Sequence, residues 1–491
     1  MNQIYYNKVK QTGVKALFLL LTPWCLLLAS CNDWLDVSPK SQIKEEDHFD
    51  RVGGYKDQLT GIYTAMTSQD MYGLNMGIGF VEVLSHSYDI DANGKWRYAN
   101  EFNYTERNNE SIITAIWSKT YNCIANANIL IKNIEKADKN MFLDNDYHIY
   151  RGEAYGLRGF LHFELMRLFA CAPSMDGNAK GVPYVTEYST DIVGQKSVNE
   201  TMQMVINDLL IAHDELAYDT LNTYDYCGQK AYNLPRNKFN FFACATVLAR
   251  AYLWVGDTQN ALKYANEVID WNERRWSPGF SWVHYTNMQQ TNRNELDCTF
   301  STEHLFRLVI NDWEDIGNYY FKKEGGVNVL TPSDATVEDI YEITTGMGTD
   351  YRYTKLFEQD GEKRYLAKLW YNTGGRYNNM YPLLRMSEAF YIAAECLKNS
   401  NSKRAVELLN IVRDNRNLYL VPLSEDLTAE QIQNEIYKEY RKEFIGEHGE
   451  LFFYYKRLNI SEIKGTATRG SKNVYVLPIP SNDQEFGGYS N

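Results

Sequence analysis

Apolar residues recur at three- and four-residue spacing through much of this chain, the period that lines one face of a helix. From Arg151 onward, Ala154, Leu157, Leu161, Leu165 and Leu168 form one such stripe, with Arg158, Glu164 and Arg167 off it. Comparable patterns over 112–137, 198–217, 238–255, 258–270, 382–398, 403–417 and 428–444 predict further helices. The fold class is mainly α.

Two of these helix pairs resemble each other. Ala249 to Asp257 predicts a helix ending in a tight Gly256-Asp257 turn, followed by a second helix opening at Ala261-Leu262. Glu388 to Lys398, a polar turn, and Arg404 to Leu409 repeat the layout. Small residues at facing positions let paired helices approach closely, the logic of tetratricopeptide-like repeats; two unrelated hairpins are the alternative. Residues 271–380 break the rhythm. They are rich in Asn, Asp, Gly and Thr, yet carry Trp271, Trp276, Trp282, Trp313 and Trp370. A loop-rich insertion of this size in a compact domain is commonly functional, and its aromatic content argues against disorder.

The first thirty residues read as a secretory leader. Lys8, Lys10 and Lys15 precede an apolar stretch from Ala16 to Ala29, too short to span a bilayer stably, and Leu28-Ala29-Ser30-Cys31 closes it. That closing pattern is where lipoprotein signal peptidase cuts, making Cys31 the expected site of lipidation; an ordinary secretory signal is the alternative. Removing residues 1–30 takes away three lysines and no acid, moving the formal charge from -13 to -16. So acidic a chain repels phosphate backbones, which excludes nucleic acid as an expected partner. Cys123, Cys171, Cys244 and Cys396 fall inside apolar helical patterns, whereas Cys227 and Cys298 lie in polar stretches where they could pair. No CxxC offers a zinc or redox site.

Catalytic spacing is missing: there is no HExxH, no GxSxG elbow and no phosphate loop. Glu439, Glu443, Glu447, His448 and Glu450 are the densest set of acid/base or metal-ligating groups, but interleaved Arg and Lys predict charges on a solvated helix face. Asp89-Ile90-Asp91-Ala92-Asn93-Gly94 matches the first half of a calcium loop, with Asp89, Asp91 and Asn93 as ligands. The closing carboxylate is absent, since the twelfth position is Asn100, so a polar turn is the favoured reading and calcium the alternative. No other cofactor is expected.

Aromatic residues make up 14% of the chain, with 38 tyrosines. A sugar ring stacks its C–H face on an aromatic plane while polar rim groups bond its hydroxyls, and the same surface suits peptides. Trp96, Tyr98, Trp276, Trp282, Trp313, Tyr319 and Tyr320 sit in polar loop context and are the candidate ligand-binding residues.

In its ordered series of segments the chain resembles the SusD/RagB family of outer-membrane nutrient-binding lipoproteins of Bacteroidetes. Those segments are Trp34 to Pro39, Arg151 to Phe160 with Phe163-Glu164-Leu165, Gly181-Val182-Pro183, Ala249 to Asp257, Leu383 to Ala389, Leu408 to Arg413, Arg441 to Phe444, Phe452-Phe453 and Leu477 to Pro480. Tyr454 and Leu458 depart from the family's usual Asp and Trp, which bears on subfamily and not on fold. The resemblance implies a single SusD-like domain over 31–491, with about four tetratricopeptide-like helix pairs. Helical hairpins then occupy about 112–270 and 382–458, around the aromatic insertion 271–380. It also implies no enzymatic activity, a surface-exposed lipid anchor in the outer membrane, and delivery of bound oligosaccharide to a SusC-like TonB-dependent transporter. A peptide-binding member or a purely structural lid of the transporter are the alternatives.

Overall fold

The structure is a computed structural model that describes residues 44–220, 235–273, 279–361 and 363–491. The leader, Cys31, Cys227 and Trp276 lie outside the described residues. The chain falls into two compact units, 1–54 and 55–491. The first contributes a short helix, Glu45–Phe49, to the described residues. The helical scaffold is built in the second.

There the periodic stretches become α1 (Arg107–Ile134), α2 (Asp146–Phe169), α3 (Val198–Thr220), α4 (Phe241–Trp254) and α5 (Thr258–Asn272). The later ones become α6 (Met386–Leu397), α7 (Ser402–Asp414), α8 (Ala429–Glu443) and α9 (Glu450–Arg457). Side-chain caps fix several starts by satisfying backbone N–H groups that have no partner within the helix. Glu106 accepts from the N–H groups of Asn108 and Asn109, Asp257 from Asn260, and Asn401 from Arg404, while Thr428 and Gln431 form a reciprocal capping box. The Gly256-Asp257 turn takes the left-handed conformation that glycine adopts without strain, at φ +83°. The similar pairs α4/α5 and α6/α7 each pack internally, and they meet each other through α5 and α6.

Helix α2 is the centre of the scaffold, packed against both α1 and α3. From Gly152 to Phe169 every residue but Tyr155 is buried. The close approach depends on glycine: a methyl group on Gly152 would come within 2.7 Å of Leu216 in α3, and one on Gly156 within 2.4 Å of the Phe239 ring. Arg158, Glu164 and Arg167, off the apolar stripe, are therefore not solvated. Arg158 grips Asp208 with Nε–Oδ2 and Nη2–Oδ1 bonds of 2.6 and 2.7 Å, and Arg167 bridges Glu164 at 2.6 Å and Glu450 at 2.9 Å. A helix enclosed on all sides buries its charges only in matched pairs.

Residues 271–380 hold short helices, 3-10 turns and three of four strands. These are β1 (His304–Val309), β2 (Phe357–Asp360) and β3 (Lys363–Leu366), with β4 (Met380–Arg385) following. They form two antiparallel pairs, β1–β4 and β2–β3, with Leu308 opposite Tyr381 and Phe357 opposite Leu366. The helix expected from 382 thus begins only at Met386. Tyr381 to Leu384 is a short continuous apolar run, buried throughout, and periodicity alone does not separate such a strand from a buried helical turn.

Candidate functional site

A hollow of about 890 Å³ opens between three segments of the second unit. Asp89 to Asp91 form one wall, residues from Lys323 to Ser333 the second, and Asp360, Lys363 and Tyr365 of the β2–β3 hairpin the third. One backbone–backbone bond and two side-chain–backbone bonds fix the walls to one another. The Asp89 N–H donates to Thr331 O at 3.2 Å, Asp89 Oδ2 accepts from the Ser333 N–H, and Thr331 Oγ1 donates to Arg364 O at 2.6 Å. Farther along the same loops, the Lys95 N–H donates to Asn328 Oδ1 at 2.8 Å.

Charges of both signs face the space. Lys323 pairs with Asp360 at 2.7 Å, but both are more than half exposed, so the pair contributes little and opens readily. Lys363 is exposed and has no acidic partner among the described residues. Ser333 and Thr331 add hydroxyls. Val327 is 47% exposed at the wall, and Asn328 beside it donates to the hydroxyl of Tyr319, which is 44% exposed. Such a surface both donates and accepts hydrogen bonds around a ligand rich in hydroxyls, with an apolar edge at the rim.

The aromatic candidates divide. Trp96 is 1% exposed and Tyr320 7%, their centroids 5.6 Å apart, and Lys95 Nζ lies over both rings while donating to the Tyr320 hydroxyl at 3.2 Å. Trp313 is 4% exposed, donates from Nε1 to Leu369 O at 2.7 Å, and packs against Tyr381. These three rings are core, which corrects the expectation that each presents a face to ligand: polar sequence neighbours surround them, but the chain folds back over them. Trp282 is half-buried between Phe390 and the Arg416 guanidinium, and Tyr98 is half-buried beneath Arg97. Of the described candidates, Tyr319 alone is exposed, and it is bonded to Asn328, the neighbour of Val327 in the hollow's wall.

The Asp89 to Gly94 segment takes the polar-turn form and not that of a calcium loop. Asp91 Oδ1 accepts the Asn93 N–H at 2.8 Å and Asp91 O accepts the Gly94 N–H at 2.9 Å, a polar turn closed on itself. Asp89 faces Ser333 and Thr336 instead of joining Asp91 and Asn93 around a cation. Among the described residues no group of three or more His, Cys, Asp or Glu is placed to hold a metal ion.

Glu439 and Glu443 of α8, and Glu447 and Glu450 beyond it, are buried, not solvated. Glu443 accepts from Arg352 at 2.8 Å and from Arg416 at 2.6 Å and is also paired with Arg385. Glu439 accepts from Arg352 at 2.8 Å and Arg413 at 3.2 Å, Glu303 takes both ends of the Arg416 fork, and Glu447 joins Arg385 and Lys368. Burial alone would raise the Glu443 carboxyl, but Arg416, Arg385 and Arg352 outweigh it and hold it well below the usual range. Burial likewise opposes ionisation of Glu439 and Glu450, and their arginines prevail. Buried carboxylates and guanidinium groups paired in this way compensate one another's charge inside the fold. The scattered Arg352, Arg385 and Arg416 gave no periodic signal that could have revealed them as partners.

No helix among the described residues is long and apolar enough to cross a membrane. Two family models match the chain: one described as starch-binding associating with outer membrane, over residues 33–253, and one of the SusD family, over residues 348–484. The SusD-like protein P2 of Formosa agariphila is 23% identical over 525 residues, spanning 96% of this chain and 97% of that protein. A SusD superfamily structure from Bacteroides thetaiotaomicron superposes with TM-score 0.69 at 23% identity, covering 89% of this chain and 98% of its own. A SusD-like carbohydrate binding protein from Bacteroides vulgatus superposes with TM-score 0.67 at 17% identity, covering 89% and 96%.

Proposed function

The chain belongs to the SusD/RagB family, whose members are outer-membrane lipoproteins that bind nutrients, and from that premise we propose that it captures an oligosaccharide in the hollow between Asp89, Lys323 and Lys363. The captured ligand passes to a SusC-like TonB-dependent transporter, and acylated Cys31 holds the protein at the cell surface. The observation that carries this reading is the hollow itself. Its size falls within the range of about 300–1,000 Å³ typical of small-ligand sites, and its walls are hydrogen-bonded to one another. Its lining offers carboxylates, ammonium groups and hydroxyls instead of a reactive constellation, which supports binding without catalysis. The carbohydrate-binding relative from Bacteroides vulgatus supports a glycan ligand.

Charges of both signs also suit a peptide, whose termini and side chains carry both, and this favours a second reading within the same site. Screening the purified mature protein on glycan and peptide arrays separates the two. Retention on oligosaccharides alone is the expected result. Retention on peptides alone moves the ligand class, and retention on neither, with an intact transporter complex, leaves a structural lid.

A further inference from the structure

The hollow is linked to the core through one buried carboxylate. Glu82, in the short buried helix Phe80–Val83, is 1% exposed, and its two oxygens accept three hydrogen bonds. Oε1 accepts the Gly446 N–H at 2.8 Å and the Tyr88 hydroxyl at 3.0 Å; Oε2 accepts the Gly449 N–H at 2.8 Å. Gly446 and Gly449 take the positive φ that glycine adopts without strain, and His448 between them takes it as a non-glycine residue, so the backbone strain in the loop between α8 and α9 sits at His448. Tyr88 immediately precedes Asp89, the residue bonded to Thr331 and Ser333 in the wall of the hollow.

A second tie reaches the same loop from the opposite wall. Lys368, two residues beyond β3, donates to Glu443 O at 3.1 Å and Ile445 O at 3.0 Å and pairs with Glu447. Both the Asp89 wall and the Lys363–Tyr365 wall therefore end on residues 445–449. The geometry points to Glu82 as a proton-operated latch: as its carboxylate it ties the 445–449 loop to the Asp89 wall, and on protonation it releases that tie and loosens the hollow.

The direction follows from chemistry. Protonation removes the negative charge that strengthens all three bonds and turns one oxygen into a donor; the Tyr88 hydroxyl can rotate to accept that proton, so the bonds from the Gly446 and Gly449 N–H groups, which cannot reverse, are the ones that weaken. Burial pushes the Glu82 carboxyl up to about 7, against the N–H groups of Gly446 and Gly449, the Tyr88 hydroxyl and the Lys368 charge, all of which favour the carboxylate. The other ionisable groups around it are Tyr381 on β4, Glu447 and His448 in the loop, Glu450 at the start of α9, and Tyr341 beyond Tyr88. Because a raised folded-state value favours the folded protein at lower pH, this local release is not accompanied by loss of global stability from this group. Its consequence for capture rests on the hollow being the ligand site; the mechanical link does not.

Hydrogen–deuterium exchange of the full mature protein at about pH 6 and about pH 8, corrected for intrinsic exchange, tests the latch. With a value near 7 the carboxylate fraction falls about tenfold between these conditions. Protection of segments 445–449 and 86–91 is expected to fall together by several-fold at the lower pH, with the melting temperature undiminished. Glu82→Gln is expected to show the low-pH exchange at both pH values. Tyr88→Phe keeps the pH response of 445–449 and removes that of 86–91, and it decides the matter even if Glu82→Gln fails to fold. Equal protection at the two pH values, or a response in 445–449 alone in the wild type, overturns the latch.

Discussion

Arg385 Nε donates to Glu447 Oε2 at 2.8 Å with neither side chain more than 1% exposed, so the last residue of β4 is tied to the loop after α8 inside the protein. The pair is one edge of a network in which Glu443 serves three arginines, and breaking a buried network at one partner leaves an uncompensated charge. Glu443→Ala is expected to cost about 3–5 kcal/mol in chemical denaturation. A loss below about 1 kcal/mol would show these charges to be solvated after all.

The buried tryptophans give a contrasting set. Trp96→Ala and Trp313→Ala each remove a covered ring, and Trp313→Ala also strands Leu369 O, so each is expected to lower stability by about 3–5 kcal/mol. Tyr319→Ala removes an exposed ring and is expected to stay within about 0.5 kcal/mol of wild type. Equal melting temperatures for all three variants would contradict the packing described above.

Gly156 supports the closest approach to α2. Alanine there forces its methyl group against the Phe239 ring, and Gly156→Ala is expected to cost about 1–3 kcal/mol by overpacking. Unchanged unfolding midpoints in urea would mean that Phe239 has room to withdraw.

Acid has two opposing effects. Glu82 and Glu153 are raised to about 7 and Asp297 to about 6, each by burial, so their contribution is fully present below the ordinary carboxylate range and is lost as pH rises through 6 to 7. Glu439, Glu443 and Glu450 are held below the ordinary range, so their contribution is present above it and lost as pH falls beneath it. Stability measured against pH should hold or rise from pH about 7 to about 5 and then fall steeply below about 4. A steady decline beginning at neutrality would contradict these assignments.

Helices were legible because amphipathic spacing and caps such as Asp257 and Thr428 are local signals. Strand β4 was not, since a four-residue apolar run has no period to read. The acids from Glu439 to Glu450 looked solvated for the same local reason: their partners Arg352, Arg385 and Arg416 are brought from other elements by tertiary folding. The site shows the limit most clearly. Asp89 and Asp91 lie in its wall, though as hydrogen-bonding groups and not as calcium ligands, while Lys363 and Lys323 carried no signal because isolated surface lysines are unremarkable in sequence. Among the rings, polar context failed for Trp96 and Trp313 because loops fold over them.

The central claim is that ligand sits between Asp91 and Lys363. Titration calorimetry of the array-selected oligosaccharide against wild type and Asp91→Ala/Lys363→Ala tests it most directly, since both side chains are exposed at the hollow and unfolding is not expected to follow. A weakening of at least about tenfold, near 1.4 kcal/mol, with an unchanged melting temperature is the predicted result. Unaltered affinity in the double variant would place the ligand elsewhere and contradict the account.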